Sequence, residues 1–140
     1  MDKVRNEHED IYAGGPNYSR SVRAGNLLFV SGCTANRSPA KGGPPMDQLR
    51  VVLDRITRIV KAEGGLPSDI VKLTTFVANK SDWFPIDSEQ AAIYDDFFDG
   101  AYPANTIVEA GIGGEGLDVE MDAIAVLEPL AEERRDGETR

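Results

Sequence analysis

The sequence predicts an α+β fold, one mixed β-sheet with two helices on a single face. Three observations lead there. Stretches of period-two alternation, rich in β-branched residues, stand near both ends of the chain and in its middle. Twice between them the apolar spacing changes to the helical period, from Asp47 and again from Ser81. Each helical stretch lies between two strands, so right-handed crossovers place both helices on the same side of the sheet.

Taken in order, "YSRSVRAGNLLFVSGC" is a hairpin, with Gly25-Asn26 supplying residues that accept the positive φ of a tight turn. "SPAKGGPP" is a loop. Leu49, Val52, Leu53, Ile56, Ile59 and Val60 then recur at helical spacing as one apolar stripe, which Gly64-Gly65 ends. "DIVKLTTFVAN" is a strand. "SDWFPIDSEQAAIYDDFF" is a second helix, with Asp82 as its N-cap, Pro85 in its first turn and Ile86, Ile93, Tyr94 and Phe97 on its buried side. Trp83 is its starting anchor. Two strands close the chain, Asn105 to Ala110 and Leu117 to Leu127, joined by "GIGGEG", which reads as a flexible turn. The order is β-β-α-β-α-β-β.

The last strand carries a second message. Leu117, Val119, Met121, Ala123 and Ala125 share one face, while Asp118, Glu120, Asp122, Ile124 and Val126 share the other. Neither face is fully polar, yet the helices cover only one. Sheet packing against a second copy of the chain is the expected remedy.

At 140 residues, 41% hydrophobic and 28% charged, the chain has the composition of one globular domain. The expected organisation is a partly flexible leader over 1–16, a single domain over 17–128 and a charged tail over 129–140. A formal net charge of −9 opposes binding to phosphate backbones, so nucleic acid is not an expected partner. The densest basic stretch, Arg50, Arg55, Arg58 and Lys61, is interleaved with Asp54 and Glu63 and reads as a solvated helix face. Cys33 is the single cysteine, which excludes an intramolecular disulfide and favours a reducing, cytoplasmic compartment. The opening "MDKVRNEHED" lacks the apolar core of a signal peptide, and nothing later reaches membrane-spanning length, so no membrane partner is expected. His8 is the only histidine and falls in the charged leader, which argues against a histidine-based catalytic pair and against a metal site.

Five segments, "YSRSVRAGNLLFVSG", "DIVKLTTFVANKSDW", "IYDDFF", "YPANTIVEAG" and "VEMDAIAV", resemble in order and spacing those of the reactive intermediate deaminase (Rid/YjgF) family. The resemblance covers roughly Tyr18 to Leu127. It implies a chorismate-mutase-like fold and a homotrimer around a central β-barrel, with clefts for a small-molecule substrate between subunits. It also implies hydrolysis of reactive enamines or imines, such as 2-aminoacrylate and 2-iminopropionate, to the keto acid and ammonia, without metal or organic cofactor. Carried over by position, the family's water-handling glutamate falls on Glu120, its cleft tyrosine on Tyr18, and its Ser-Gly on Ser31 and Gly32. The arginine that clamps the substrate carboxylate in a P-A-R-[ST] setting falls on Asn105, and Ile107 stands where members carry a small polar residue or thiol.

An amide offers neutral donors in place of the guanidinium's charged fork, and losing two charge-assisted bonds weakens carboxylate binding by roughly tenfold to a thousandfold. Arg20, Arg23 and Arg37 are the candidates to restore it from another direction. The remaining residues each carry two readings. Glu120 is a proton-moving base or an interface carboxylate in an ion pair, and Asp122 its coupled partner or a salt-bridged aspartate. Tyr18 bounds the cleft or simply packs. Cys33 is a thiol at the cleft or a buried free cysteine. Asn105 orients a neutral ligand group or satisfies backbone at the strand start. The expected function is a Rid-type enzyme acting on an enamine or imine with altered specificity. The alternative is a non-catalytic trimer that binds a small ligand or partner through the same clefts.

Overall fold

A computed structural model describes residues 1–129. The strands are β1 (Lys3–Asn6), β2 (Ser21–Ala24), β3 (Leu27–Cys33), β4 (Ile70–Val77), β5 (Ala104–Glu109) and β6 (Val119–Val126). They form one six-stranded sheet in the order β1-β2-β3-β6-β4-β5, in which only β4 and β5 run parallel. The helices are α1 (Pro45–Ala62) and α2 (Ser88–Phe98).

The hairpin turns where expected, with Gly25 at φ 63°. Helix α1 buries the stripe its spacing predicts: Leu49, Val52, Leu53, Ile56, Ile59 and Val60 are all inaccessible to solvent. They pack on Leu28, Val30, Leu73, Met121 and Ala123 from the sheet. One face of β6 is therefore core. On its other face, Leu27 pairs with Val126 and Phe29 with Ile124 across the β3–β6 ladder. Leu27, Phe29 and Val126 are 38–41% exposed, so among the described residues this apolar face has no cover.

Three expectations need correction. The leader, read as partly flexible, contributes β1, which pairs with β2 from Lys3 opposite Ala24 to Asn6 opposite Ser21. Asn6 Nδ2 donates to both Glu63 carboxylate oxygens, and His8 lies 3.2 Å from the same carboxylate. These are long-range contacts with no local sequence signal. The second helix begins later than expected. A short 3-10 turn spans Lys80–Asp82, and the true N-cap is Asp87, whose Oδ1 accepts from Gln90 N at 2.8 Å. Pro85 lacks an N–H and disfavours helical backbone at Phe84, which separates the turn from the helix. Ile86 consequently lies exposed instead of buried, while Trp83 is buried as an anchor. Arg55 does not belong to a solvated face; it is 8% exposed and bound to carbonyls of residues 34 to 37. Of the charged tail expected over 129–140, all but its first residue lies outside the described residues.

The "GIGGEG" turn is tied at its end. Gln48, fully buried on α1, donates to Gly43 O, Gly116 O and an Asp118 carboxylate oxygen, and its own oxygen accepts from Asp118 N. No helix among the described residues is long and apolar enough to cross a membrane.

Candidate functional site

Two cavities hold the residues that the sequence singles out, and they lie on opposite faces of the sheet. The first is polar, with a volume of 430 Å³. Tyr18, Ser31, Gly32 and Glu120 line it, together with Tyr12 and Thr34. Glu120 leans over Gly32 so closely that a β-carbon there would lie 2.4 Å from Glu120 Oε2. Glycine at this position is thus the condition for the carboxylate's placement. Burial pushes the Glu120 carboxyl above the ordinary glutamate range, the charge of Asp122 pushes the same way, and Arg20 opposes both. Asp122 is also raised, chiefly by burial, against a hydrogen bond from Thr74 and the charge of Lys72.

Behind this cavity stands Arg20, a candidate from the sequence, together with Arg55 and Tyr12, whose part there sequence reasoning missed. Arg20 is 1% exposed, and its guanidinium donates to Ser31 O, Gly32 O and Ala13 O at 2.8–3.0 Å. Arg55 Nη1 donates to Thr34 O and Asn36 O. The Tyr12 ring sits between the two, 4.6 Å from Arg20 Cζ and 4.1 Å from Arg55 Cζ. Its hydroxyl shares a 2.9 Å hydrogen bond with Thr34 Oγ1. Only the order Tyr-x-x-x-x-x-Tyr-x-Arg over residues 12 to 20 hinted at this, and nothing in it marked the partners.

Cys33 does not line the cavity. It is fully buried on the core side, beside Arg20 Nη1 at 3.4 Å, and burial pushes its thiol up to about 11 against the charges of Arg20 and Arg55. Such a thiol is protonated at neutral pH and inert. Of the arginine candidates, Arg20 is committed to carbonyls, and Arg23 donates to the carbonyls of Gly25, Glu63 and Glu128 at the other end of the sheet. Arg37 is exposed and borders a groove beside Tyr12 and Tyr18.

The second cavity, of 210 Å³, lies between α2 and β5 and contains Asn105 and Ile107. Their β4 partners are Leu73 and Thr75, both buried on the helix side, whereas Glu120 is paired with Phe76 of opposite parity. Asn105 and Glu120 therefore cannot meet within one chain. Asn105 Oδ1 accepts from Thr75 Oγ1 at 2.8 Å, and its Nδ2 reaches Tyr94 Oη only at 3.4 Å. Tyr94 is pushed up to about 12 by burial, so its hydroxyl stays protonated.

The family described as Endoribonuclease L-PSP matches residues 10–127 of the chain. A 2-iminobutanoate/2-iminopropanoate deaminase of Escherichia coli K12 is 33% identical over 115 residues, which span 80% of this chain and 88% of that protein. A RutC family protein of Pyrococcus horikoshii is 31% identical over 118 residues, spanning 81% and 89% respectively. The crystal structure of Rv2704 from Mycobacterium tuberculosis, a member of the YjgF/YER057c/UK114 family, matches with a TM-score of 0.71 at 26% identity, over 90% of this chain and 100% of that one.

Proposed function

The chain belongs to the Rid/YjgF family, and from that premise we propose that it is a cofactor-independent enzyme that hydrolyses a small enamine or imine to a carbonyl compound and ammonia. The observation that carries this reading is Glu120: a partly buried carboxylate, raised in pKa, poised over a glycine in an open polar cavity.

Hydrolysis of an imine needs one water and the delivery of two protons to nitrogen. Glu120 takes a proton from water as its oxygen bonds to the imine carbon, and the C=N π pair moves to nitrogen, which receives that proton. Glu120 then takes the proton of the new hydroxyl and returns it to nitrogen as the C–N bond breaks. Ammonia leaves, the carbonyl forms and Glu120 is ionised again. Burial moves its pKa upward from the ordinary glutamate value, in the direction that favours a group which must both take and give a proton. Ser31, whose Oγ donates to Ser19 O at 2.6 Å, and Tyr18 bound the space above it.

Because Asn105 and Ile107 occupy the opposite face from Glu120, a complete site takes those two residues from one subunit and Glu120 from another. The uncovered apolar face of β3 and β6 supplies a reason for the homotrimer in which this happens. Within that cleft Asn105 replaces a charged clamp by a neutral one, and specificity moves away from simple imino acids. An RNA substrate fits poorly: the net charge is −9, and the single histidine is held by Ser21 and Glu63, outside both cavities.

The test is ammonia release from freshly generated imines, with and without a carboxylate, by the parent and by Glu120→Gln, with light scattering on the same samples. Turnover by a trimer that Glu120→Gln abolishes is the expected result. Ligand binding by a trimer that releases no ammonia from any imine favours the non-catalytic alternative, and a stable monomer sinks the shared cleft.

A further inference from the structure

The cavity between α2 and β5 contains a side chain whose hydrogen-bonding capacity is unused. Gln90 stands in the first turn of α2, fixed there by its backbone bond to Asp87. It is 1% exposed, it lines the cavity, and its Nε2 is buried without a partner among the described residues. Native interiors pair nearly all such donors, so an orphan on a side chain that lines a cavity is a candidate to meet an acceptor brought in by a ligand. Asn105 adds a second donor. With Oδ1 taken by Thr75, its Nδ2 makes one long bond to Tyr94 and keeps a free N–H.

The rest of the wall is apolar: Ile86, Pro103, Ile107 and the rings of Tyr94 and Tyr102. Among the described residues no cation lines it, and the nearby Lys72 Nζ is bound to Thr106 Oγ1, on the strand's other face. A carboxylate entering here would give up its water without gaining a counter-charge. A neutral carbonyl would exchange its water bonds for two amide donors. At 210 Å³ the cavity is below the roughly 300–1,000 Å³ of drug-sized sites, which limits the occupant to a few carbons.

We propose that this cavity binds the uncharged part of the substrate. A compact aliphatic group would lie against Ile86, Pro103 and Ile107, and a neutral carbonyl or carboxamide oxygen would accept from Asn105 Nδ2 and, once its side chain turns toward the cavity, from Gln90 Nε2. Gln90 is then a specificity-determining residue, and the substrates are neutral imines or enamines in place of imino acids. The chemistry, though not the binding, rests on the deaminase reading above.

The experiment compares two stable, product-like ligands with one carbon skeleton, 4-methyl-2-oxopentanamide and 4-methyl-2-oxopentanoate, by calorimetry with the full chain. The amide should bind at least about tenfold more tightly than the acid. Gln90→Leu should weaken the amide by about tenfold and leave the acid unchanged. It should also melt no lower than the parent, because it removes an unpaired buried amide; a structural glutamine would show the opposite. Gln90→Met, of similar length, serves the same purpose if the leucine variant does not fold. Equal or tighter binding of the acid overturns the proposal and points to the exposed Arg37 instead. So does amide binding unaffected by either variant, or binding of neither ligand. Ammonia release separates this outcome from the fate of the deaminase reading. Amide binding with no ammonia from any imine sinks that reading and leaves the specificity standing; turnover of imino acids alone does the reverse.

Discussion

Replacing Gly32 by alanine asks whether the Glu120 carboxylate is the reacting group, without altering Glu120 itself. The new β-carbon would lie 2.4 Å from Oε2, 2.9 Å from Cδ and 3.1 Å from Cγ of Glu120, where ordinary contact begins at 3.4 Å. The carboxylate must therefore move by about 1 Å, the difference between 3.4 and 2.4 Å. Gly32 has no positive φ, so alanine meets no backbone penalty. Turning the glutamate off its rotamer costs about 0.5–1.5 kcal/mol. The loss of freedom in the unfolded chain returns about 0.4–1 kcal/mol. Net stability should change by less than about 1 kcal/mol. A displacement of about 1 Å at a reacting group, by contrast, costs on the order of 10²-fold in rate. The assay is ammonia release from whichever imine the parent turns over, with a urea midpoint and light scattering on the same preparation. A Gly32→Ala protein that keeps the parent's rate, fold and oligomeric state would show that Glu120 does not carry the proton.

Glu120→Gln should melt above the parent at pH 7. A carboxyl with its folded pKa raised favours folding most when protonated, and that contribution is lost as pH rises through the folded value. The advantage of glutamine should vanish below the ordinary glutamate value of 4.5, so melting curves at acid and neutral pH check the sign. Asn105→Arg should introduce binding of small imino acids and raise their turnover by roughly tenfold or more, and adding Glu120→Gln should remove the turnover while keeping the binding. An arginine variant of unchanged oligomeric state that gains neither would mean that the cleft has diverged beyond position 105. Gln48→Leu should lose about 1–3 kcal/mol in urea titration, since it leaves the Asp118 N–H and the Gly43 carbonyl without the partner that ties the glycine-rich turn to α1.

Where neighbours in sequence decide the outcome, the sequence was legible. The α1 stripe, the Gly25-Asn26 turn and the buried face of β6 each rest on a period or on a turn residue, and each is found in place. Strand β1 was not legible because "KVRN" has no alternation of its own. It is held by pairing with β2 and by Glu63, fifty-seven positions beyond Asn6. Arg55 was misread for a related reason. Its charge, next to Asp54 and one turn from Arg58, reads as solvated, and only the carbonyls of Thr34, Asn36 and Arg37, brought back against α1, turn it inward. The start of α2 was read at Asp82, but the structure places only a 3-10 turn there and caps the helix at Asp87, beyond Pro85. For the candidate site, family positions pointed to Glu120, Tyr18, Ser31 and Asn105, but which side of the sheet each one faces follows from register. The parallel pairing of β4 with β5 puts Asn105 opposite Leu73, and the antiparallel pairing with β6 puts Glu120 opposite Phe76. Neither register can be read from one strand alone. Gln90 carries no signal at all in sequence; its meaning lies in an unpaired nitrogen.

The arginines explain how an acidic chain keeps a usable carboxylate at its cleft. Glu120 and Asp122 place two negative charges on the same side of β6, and with the whole chain at −9 their mutual repulsion would favour protonation. Arg20 and Arg55 form no ion pair among the described residues. Their guanidinium groups are solvated by backbone carbonyls and by the face of Tyr12, ligands that stabilise the cations without cancelling their charge. The field of the buried Arg20 therefore remains available to Glu120, whose carboxyl pKa it lowers. Had either arginine been paired with a carboxylate, its field would have been spent on that partner. Glu120 is thus raised by burial and by Asp122 but restrained by Arg20, a balance of opposing influences on the carboxyl to which the proposed function assigns the proton transfers.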